Sequence, residues 1–187
     1  MREVVKPGLI LFLITVITAA CLGLVNSVTA EVIIKNELET KNKAMAMLLP
    51  EAKDNNFGND VFVGEDGVDC YNIGYDATTP AGIVFTMLQK GYGGEMKILV
   101  ALLPDGVVKG VQIVNHSETP GLGANANNEK FTNQYIGKSG VVSVVKGVPQ
   151  DNEIQAITSA TITSNYVTEA VNNALAYFDA NFKGGLE

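Results

Sequence analysis

Histidine, cysteine and basic residues are scarce in this 187-residue chain, which has one histidine, two cysteines and no tryptophan. A single imidazole excludes every site that needs two histidines. Two cysteines without a Cys-x-x-Cys pair provide neither a disulfide scaffold nor a zinc-binding knuckle. The 13 basic and 20 acidic side chains give a formal charge of -7, which argues against nucleic acid as a partner. The length predicts one domain of ordinary size with a small appendage.

Motifs for hydrolytic chemistry are also missing, because the chain has no Walker loop, no HExxH and no Gly-x-Ser-x-Gly. Residues 121–126 resemble a dinucleotide fingerprint in outline. However, the polar run 127–130 follows them, where that fold needs a helix packed on a parallel strand. We therefore predict no catalytic residues and no metal ligands.

Charge is absent from residues 7–30, and this run is nearly all apolar. As a helix it rises about 36 Å, enough to cross a hydrocarbon core of about 30 Å. Arg2 and Lys6 precede the run, so the positive-inside rule places residues 1–6 in the cytoplasm. We therefore predict a single-pass transmembrane helix at 7–30 in the cell membrane, with the rest of the chain on the extracytoplasmic face.

The same N-terminal run has two other interpretations. Small side chains at 28–30 fit the cleavage site of a signal peptide, and Cys21 hints at a lipoprotein, although its preceding residues fit poorly. The length of the run favours an uncleaved anchor, and each alternative still exports the domain. Because Cys21 lies in the apolar run and Cys70 lies far beyond it, we expect the two thiols not to pair.

Beyond the membrane, the patterning predicts a juxtamembrane helix at 31–50, ended by Pro50, and an extracytoplasmic domain at 51–187. Runs rich in β-branched residues predict an antiparallel sheet, and Pro104-Asp105-Gly106 predicts a hairpin turn within it. The fold class is therefore α+β. The predicted elements are strands Val61–Val63, Val68–Tyr75, Gly82–Gln89, Met96–Leu103, Val107–Asn115 and Val141–Lys146, a short polar helix at 127–136 and an amphipathic helix at 164–182.

Hydroxyl side chains cluster at 157–164, directly before the amphipathic helix. One interpretation is helix capping, with Thr163 or Ser164 as the N-cap residue. The other is phosphate binding, because a helix N-terminus presents unpaired N–H groups and the positive end of the helix dipole. A nearby hydroxyl could then hydrogen-bond the phosphate or be esterified to it, and the small Ser159 and Ala160 would leave room for a bulky group.

A second polar segment, 115–123, follows the predicted hairpin. Pro120 and Gly121 fit a type II turn that ends the strand. The turn does not explain why a histidine, a glutamate and two hydroxyls share it. Polar groups beside glycines also fit a loop that lines a ligand site. Residues 90–94, before the hairpin, are typical of a flexible turn.

Together these segments resemble the FMN-binding domain found in the G subunit of Rnf electron-transport complexes and shared with the C subunit of the sodium-pumping NADH:quinone reductases. The likeness rests on Ser159-Ala160-Thr161, on HSETPGLG at 116–123, on GYGG at 91–94 and on the single N-terminal span, all in the family's order. It covers most of the chain. It implies an FMN cofactor joined by a phosphoester to Thr161.

The family's attachment pattern is Asp-x-x-(Ser/Thr)-Gly-Ala-(Thr/Ser), whose last residue is modified. Here Thr158 matches the first hydroxyl position, whereas Gln155 replaces the usual aspartate and Ser159 the usual glycine. The serine is a small change if its φ is negative. By resemblance, Glu118 and Thr119 are the main polar contacts of the flavin. The full set of implied cofactor-binding residues is Glu118, Thr119, Gly121, Leu122, Thr158, Ser159, Ala160 and Ser164.

The resemblance implies an electron-transfer component of a ferredoxin:NAD oxidoreductase complex coupled to Na+ or H+ translocation, without activity alone. Its implied partners are the other membrane subunits and the flavin transferase that attaches FMN. Flavin chemistry needs no acid or nucleophile from the protein, which fits the scarcity of catalytic residues. One alternative stays within the family: a subunit of a quinone reductase, or a stand-alone extracytoplasmic flavin domain. The other is a non-redox binding or scaffold domain, in which residues 158–164 only cap a helix.

Overall fold

The computed structural model describes residues 2–182 and 185–186. The chain divides into two compact units, Met1–Thr40 and Lys41–Glu187. Met1 and the residues at 183, 184 and 187 belong to the predicted segments 1–6 and 51–187, and they lie outside the described residues.

Helix α1, Arg2–Leu48, contains residues of both units. It is long and apolar enough to cross a membrane, and none of its most apolar stretch is buried in the structure. Its exposed side chains are mostly apolar and include Leu9 and Phe12, which suits a hydrocarbon environment. The helices predicted at 7–30 and 31–50 are therefore parts of one continuous helix.

Five antiparallel strands form the main sheet, and they pair in the order in which they follow one another along the chain. Their bounds are β1 Val61–Glu65, β2 Val68–Asp76, β3 Thr79–Lys90, β4 Glu95–Leu102 and β5 Val108–Asn115. The first five predicted strands are thus confirmed, with ends that differ by at most three residues. The predicted hairpin turn joins β4 to β5, where the Leu103 N–H donates to the Val107 carbonyl at 2.9 Å and Gly106 takes a φ of 81°.

Both faces of this sheet are covered, which explains why β4 is an unbroken apolar run. Ile98 and Val100 belong to the larger core, on the face that helix α3, Thr161–Asn181, covers. Leu99 and Ala101 point to the other face and meet the C-terminal end of α1. The smaller core on that face consists of Ala44, Met45, Leu49, Ala52, Val84, Leu99 and Ala101.

The chain between β5 and α3 has little regular structure. Helix α2, Glu129–Thr132, lies between 3-10 turns at Gly123–Asn127 and Asn133–Tyr135. The helix predicted at 127–136 is therefore wrong for most of its length, because only four residues are α-helical. Asn128 caps this short helix by accepting a hydrogen bond from the Lys130 N–H at 3.0 Å.

A second, two-stranded sheet follows, in which β6, Ser143–Val145, runs parallel to β7, Glu153–Gln155. The strand predicted at 141–146 is confirmed in a shorter form. Strand β7 was not predicted, since three residues are too few for a periodic signal. The predicted C-terminal helix is confirmed as α3, which begins three residues earlier than expected, at Thr161.

Candidate functional site

A cleft of about 410 Å³ lies where three separate segments of the folded unit meet. These segments are the turn between β3 and β4, the loop after β5 and the beginning of α3. Its lining residues are Tyr92, Glu118, Thr119, Leu122, Gly123, Ser159, Ala160, Thr161, Ile162 and Thr163. The fold therefore brings together the three motifs that the sequence singled out.

Helix α3 begins at the cleft without a side-chain cap. Ala160 occupies the N-cap position, and no side chain hydrogen-bonds there. The prediction that Thr163 or Ser164 is the N-cap is wrong, because both lie inside the first turn. The N-terminal end of α3, with its unpaired N–H groups and positive dipole end, therefore lies at the cleft, an arrangement that favours an anion.

Thr161 is the first helical residue and is half-buried at the cleft. Within the described residues its hydroxyl forms no hydrogen bond, so the oxygen is available for a bond to a ligand. Ser159, two residues earlier, has a φ of 65°, in the left-handed region. The condition under which serine would be a small change, a negative φ, is therefore not met, and the serine occupies a conformation that glycine adopts at lower cost.

Glu118 is a buried carboxylate, with 6% of its surface exposed, at the base of the cleft. One oxygen accepts a hydrogen bond from the Gly93 N–H at 3.0 Å. The other accepts from the Thr163 hydroxyl at 2.8 Å. Its own N–H donates to Nδ1 of His116 at 3.3 Å. Both carboxylate oxygens thus already have donors from the protein.

Three apolar side chains at the cleft are unusually open to solvent. Tyr92 is 73% exposed, Ile162 is 52% exposed and Leu122 is 44% exposed. Tyr92 and Ile162 were not predicted as site residues, although Tyr92 belongs to the GYGG motif. Its position on a turn before the hairpin gave no sign that the turn folds back against the loop after β5.

Three of the predicted cofactor-binding residues do not line the cleft: Gly121, Thr158 and Ser164. Gly121 has a φ of 80°, as the predicted type II turn requires. The Ser164 hydroxyl accepts from the Ile157 N–H at 2.9 Å and donates to the Ala160 carbonyl at 3.0 Å. Ser164 therefore stabilises the chain just before α3 rather than facing the cleft.

Comparison with known proteins agrees with this architecture. A family model described as FMN-binding domain matches residues 91–176, and one described as RnfG N-terminal region matches residues 1–48. The G subunit of the Na+-translocating ferredoxin:NAD+ oxidoreductase complex of Acetobacterium woodii is 35% identical, across 95% of this chain and 92% of that protein. The G subunit of the proton-translocating complex of Clostridium ljungdahlii is 34% identical, across 90% and 88%. The chain belongs to the RnfG family.

Solved structures extend the likeness to the fold. NqrC of Shewanella oneidensis superposes with a TM-score of 0.53 at 19% identity, covering 71% of this chain and 72% of that one. The C subunit of the Na+-translocating NADH-quinone reductase of Parabacteroides distasonis gives a TM-score of 0.54 at 22% identity, covering 82% and 97%. The predicted α+β fold of the RnfG family is confirmed.

The FMN-binding match begins at Gly91 and includes all three segments of the cleft. The predicted FMN-binding domain is confirmed. The cleft of this RnfG-family protein suits such a ligand in volume, since small-molecule sites typically enclose roughly 300–1,000 Å³. Apolar Tyr92, Leu122 and Ile162 suit a flat aromatic ring, and the start of α3 suits a phosphate.

The cleft lining has no positively charged side chain that could bind a phosphate. Among the residues that line the cleft, none is lysine, arginine or histidine, and Glu118 is the single charged one. The described residues also contain no cluster of histidine, cysteine and acidic side chains able to hold a metal ion. A phosphate here would rely on backbone N–H groups and on the dipole of α3 for its stabilisation.

Proposed function

We propose that this chain is the membrane-anchored, FMN-carrying component of an ion-translocating ferredoxin:NAD+ oxidoreductase complex, in which it relays electrons. The observation that carries the proposal is the meeting of three motifs in one cleft at the start of α3. Subunits of such complexes are 35% and 34% identical to this chain over nearly their whole length. FMN supplies one- and two-electron chemistry, and the protein supplies attachment, orientation and a tuned environment.

We further propose that FMN is attached covalently, through a phosphoester between its phosphate and the Thr161 hydroxyl. Thr161 lines the cleft, and its hydroxyl has no hydrogen-bond partner within the described residues. The cleft offers no lysine, arginine or histidine to hold a phosphate dianion by charge. A covalent ester removes the need for such a cation and prevents loss of the cofactor. A flavin transferase would form it from a flavin nucleotide activated by a pyrophosphate bond: the Thr161 oxygen bonds to the FMN phosphorus, the pyrophosphate bond breaks, the second phosphate group leaves with its nucleotide, and the hydroxyl proton is released.

The apolar residues of the cleft have a separate role in this proposal. Tyr92, Leu122 and Ile162 contact the flavin ring, because their exposed apolar surfaces are the ones that an aromatic ligand would cover. Glu118, Thr119, Ser159 and Ala160 form the remaining walls. Gly121, Thr158 and Ser164 support the loops that carry these walls.

Residues 7–30 of α1 anchor the protein in the cell membrane as one span, and residues 1–6 lie in the cytoplasm. Arg2 and Lys6 before the span support this orientation through the positive-inside rule. Residues 31–50 then form the juxtamembrane segment, and the FMN-binding domain at 51–187 is extracytoplasmic. Its partners are the other membrane subunits of the complex. Their contacts hold the acidic domain better than anionic lipid headgroups could.

Intact mass of the full-length chain, co-expressed with a flavin transferase and purified in detergent, tests the proposal directly. We expect one added FMN residue, located to the peptide that contains Thr161, and flavin fluorescence that persists after denaturation. Thr161→Ala should lose both signals, Thr161→Ser should retain part of them, and Thr79→Ala, at an exposed threonine on β3, should keep them fully. An unmodified wild-type chain under these conditions would contradict the covalent attachment.

A further inference from the structure

The Glu118 carboxylate joins segments that are far apart in the sequence. Gly93 belongs to the turn between β3 and β4, and Thr163 belongs to the first turn of α3. Glu118 itself lies in the loop after β5, and its two oxygens accept one hydrogen bond from each of the other two segments, at 3.0 Å and 2.8 Å. One side chain therefore links all three walls of the cleft.

Two glycines provide the space for this carboxylate. A Cβ atom on Gly123 would lie 1.9 Å from Oε2 of Glu118, and one on Gly91 would lie 2.5 Å from Oε1. These distances are far shorter than any contact between non-bonded atoms, and the carboxylate is too enclosed to move away freely. The glycines of the two motifs are thus required by Glu118, whatever ligand the cleft holds.

Burial of a carboxylate is costly unless donors compensate it. Here each oxygen has one donor, and the hydroxyl of Thr163 comes from the N-terminal turn of α3, where the helix dipole stabilises negative charge. The same carboxylate is the single charged side chain in the cleft lining. Any cofactor in the cleft is therefore exposed to its field at short range, and a buried charge such as this one is screened less than an exposed charge.

We propose that Glu118 is the positioning residue of the cofactor site. Its carboxylate holds the turn that carries Tyr92 against the helical turn that carries Thr161, and its charge lowers the redox potential of the flavin beside it. The second clause rests on the proposed FMN attachment, whereas the first describes the polypeptide alone. A glutamine can replace both hydrogen bonds, since its oxygen accepts and its amide group donates to the threonine oxygen, but it removes the charge.

Hydrogen exchange on the full-length chain, made without a flavin transferase, tests the positioning role with no cofactor present. In Glu118→Ala, peptides covering 91–95 and 159–165 should exchange about tenfold faster or more, the factor that follows from losing a hydrogen bond to a charged group. Glu118→Gln should stay close to wild type. Equal exchange in the alanine variant and wild type would overturn the proposal.

A milder pair of variants covers the case in which Glu118→Ala does not fold. Thr163→Val removes the hydroxyl and keeps the side-chain shape, whereas Thr163→Ser keeps the hydroxyl. Faster exchange at 91–95 in the valine variant alone supports the link across the cleft. Unchanged exchange in both variants contradicts it. Gly123→Ala should behave like Thr163→Val, and Gly147→Ala, at a glycine with no atom near its Cβ position, should behave like wild type.

The midpoint potential of the flavin shows whether the charge of Glu118 acts on the cofactor or whether this residue has a structural role alone. In the full-length chain loaded by the transferase, Glu118→Gln should raise the midpoint potential, because a nearby negative charge disfavours the uptake of electrons. Glu95→Gln, which removes an exposed carboxylate at the start of β4, should change it little. Equal potentials for Glu118→Gln and wild type would overturn the charge effect. A wild-type chain without flavin would refute the proposed attachment, and the exchange experiment would still decide the link.

Discussion

Asn172 on α3 hydrogen-bonds both backbone groups of Val142. Its amide oxygen accepts from the Val142 N–H at 2.8 Å, and its amide nitrogen donates to the Val142 carbonyl at 2.9 Å. The side chain thus pairs with the N–H and carbonyl groups of Val142, just before β6, as a neighbouring strand would. This pair fastens the second sheet to the helix that begins at the cleft.

Asn172→Ala should destabilise the folded unit by about 2 kcal/mol, because it leaves two backbone groups without partners at roughly 1 kcal/mol each. The neighbouring Asn173 makes one exposed hydrogen bond, from its amide to the Asp66 carbonyl at 2.9 Å. Asn173→Ala should therefore cost less than about 1 kcal/mol. Urea unfolding of the full-length chain in detergent measures both, and equal losses would contradict this account.

Ser159→Gly should stabilise the protein by up to about 1 kcal/mol. The left-handed conformation costs an L-residue roughly 1–2 kcal/mol of folding free energy, and replacing serine by glycine removes this cost. The greater entropy of glycine in the unfolded state offsets roughly half of that gain. Ser159→Ala keeps the Cβ and should bring no gain. Ser139→Gly, at a position without positive φ, should lower the free energy of unfolding slightly. Flavin attachment should be at least as complete in Ser159→Gly, which restores the family's usual residue.

Free FMN should not replace the proposed covalent cofactor in Thr161→Ala. The cleft lining contains no cationic side chain to bind a phosphate, so only the helix dipole and backbone N–H groups favour it. We therefore expect FMN and riboflavin to bind this variant weakly and with affinities within a few-fold of each other. Fluorescence titration measures both ligands. Tight binding of FMN together with weak binding of riboflavin would contradict the absence of a phosphate-binding cation.

The Lys41–Asp60 ion pair should make stability fall in acid. Burial alone would raise the pKa of Asp60, but hydrogen bonds from Lys41 at 2.8 Å and Asn72 at 2.7 Å hold it below its ordinary value. Because the folded-state pKa is depressed, the folded protein binds fewer protons than the unfolded chain. The stabilisation is complete above the unfolded pKa of about 4 and is lost as the pH falls through the folded pKa.

Thermal unfolding as a function of pH checks this ion pair. Asp60→Asn should flatten the loss of stability below about pH 4. Asp179→Asn, at an exposed carboxylate on α3, is the matched control and should leave the profile nearly as in wild type. If Asp60→Asn and wild type lose stability in parallel as the pH falls, Asp60 is not the group responsible.

Tyr135→Phe should destabilise the larger core by about 1 kcal/mol through one lost hydrogen bond. The buried Tyr135 hydroxyl lies 2.7 Å from the Thr168 oxygen, which itself donates to the Ser164 carbonyl at 2.9 Å. Burial raises the pKa of Tyr135, so the phenol stays neutral. It acts as the donor because the single hydrogen of the Thr168 hydroxyl is given to the Ser164 carbonyl. Tyr166→Phe, on the same helix as Thr168, is the control, and urea unfolding should show almost no change for it.

The sequence was sufficient for the sheet, the two long helices and the motifs, because each of these has a local signal. Runs rich in β-branched residues identified the strands, and the turn signal at Pro104-Asp105-Gly106 separated β4 from β5. The link between Glu118 and Thr163 could not be predicted, since it joins residues 45 positions apart and depends on how the loop after β5 folds. The same applies to Tyr92 and to β7, whose position depends entirely on parallel pairing with β6.

The half-exposed start of α3 sets an order for maturation. Thr161 remains accessible, whereas Ala160 and Thr163 beside it are buried and keep the helical turn fixed. A modifying enzyme can therefore reach its target on the finished domain, with no need to unfold it. On the proposed linkage, folding comes first and loading second, so the amount of attached flavin in the cell would report how much of the protein has reached its native structure.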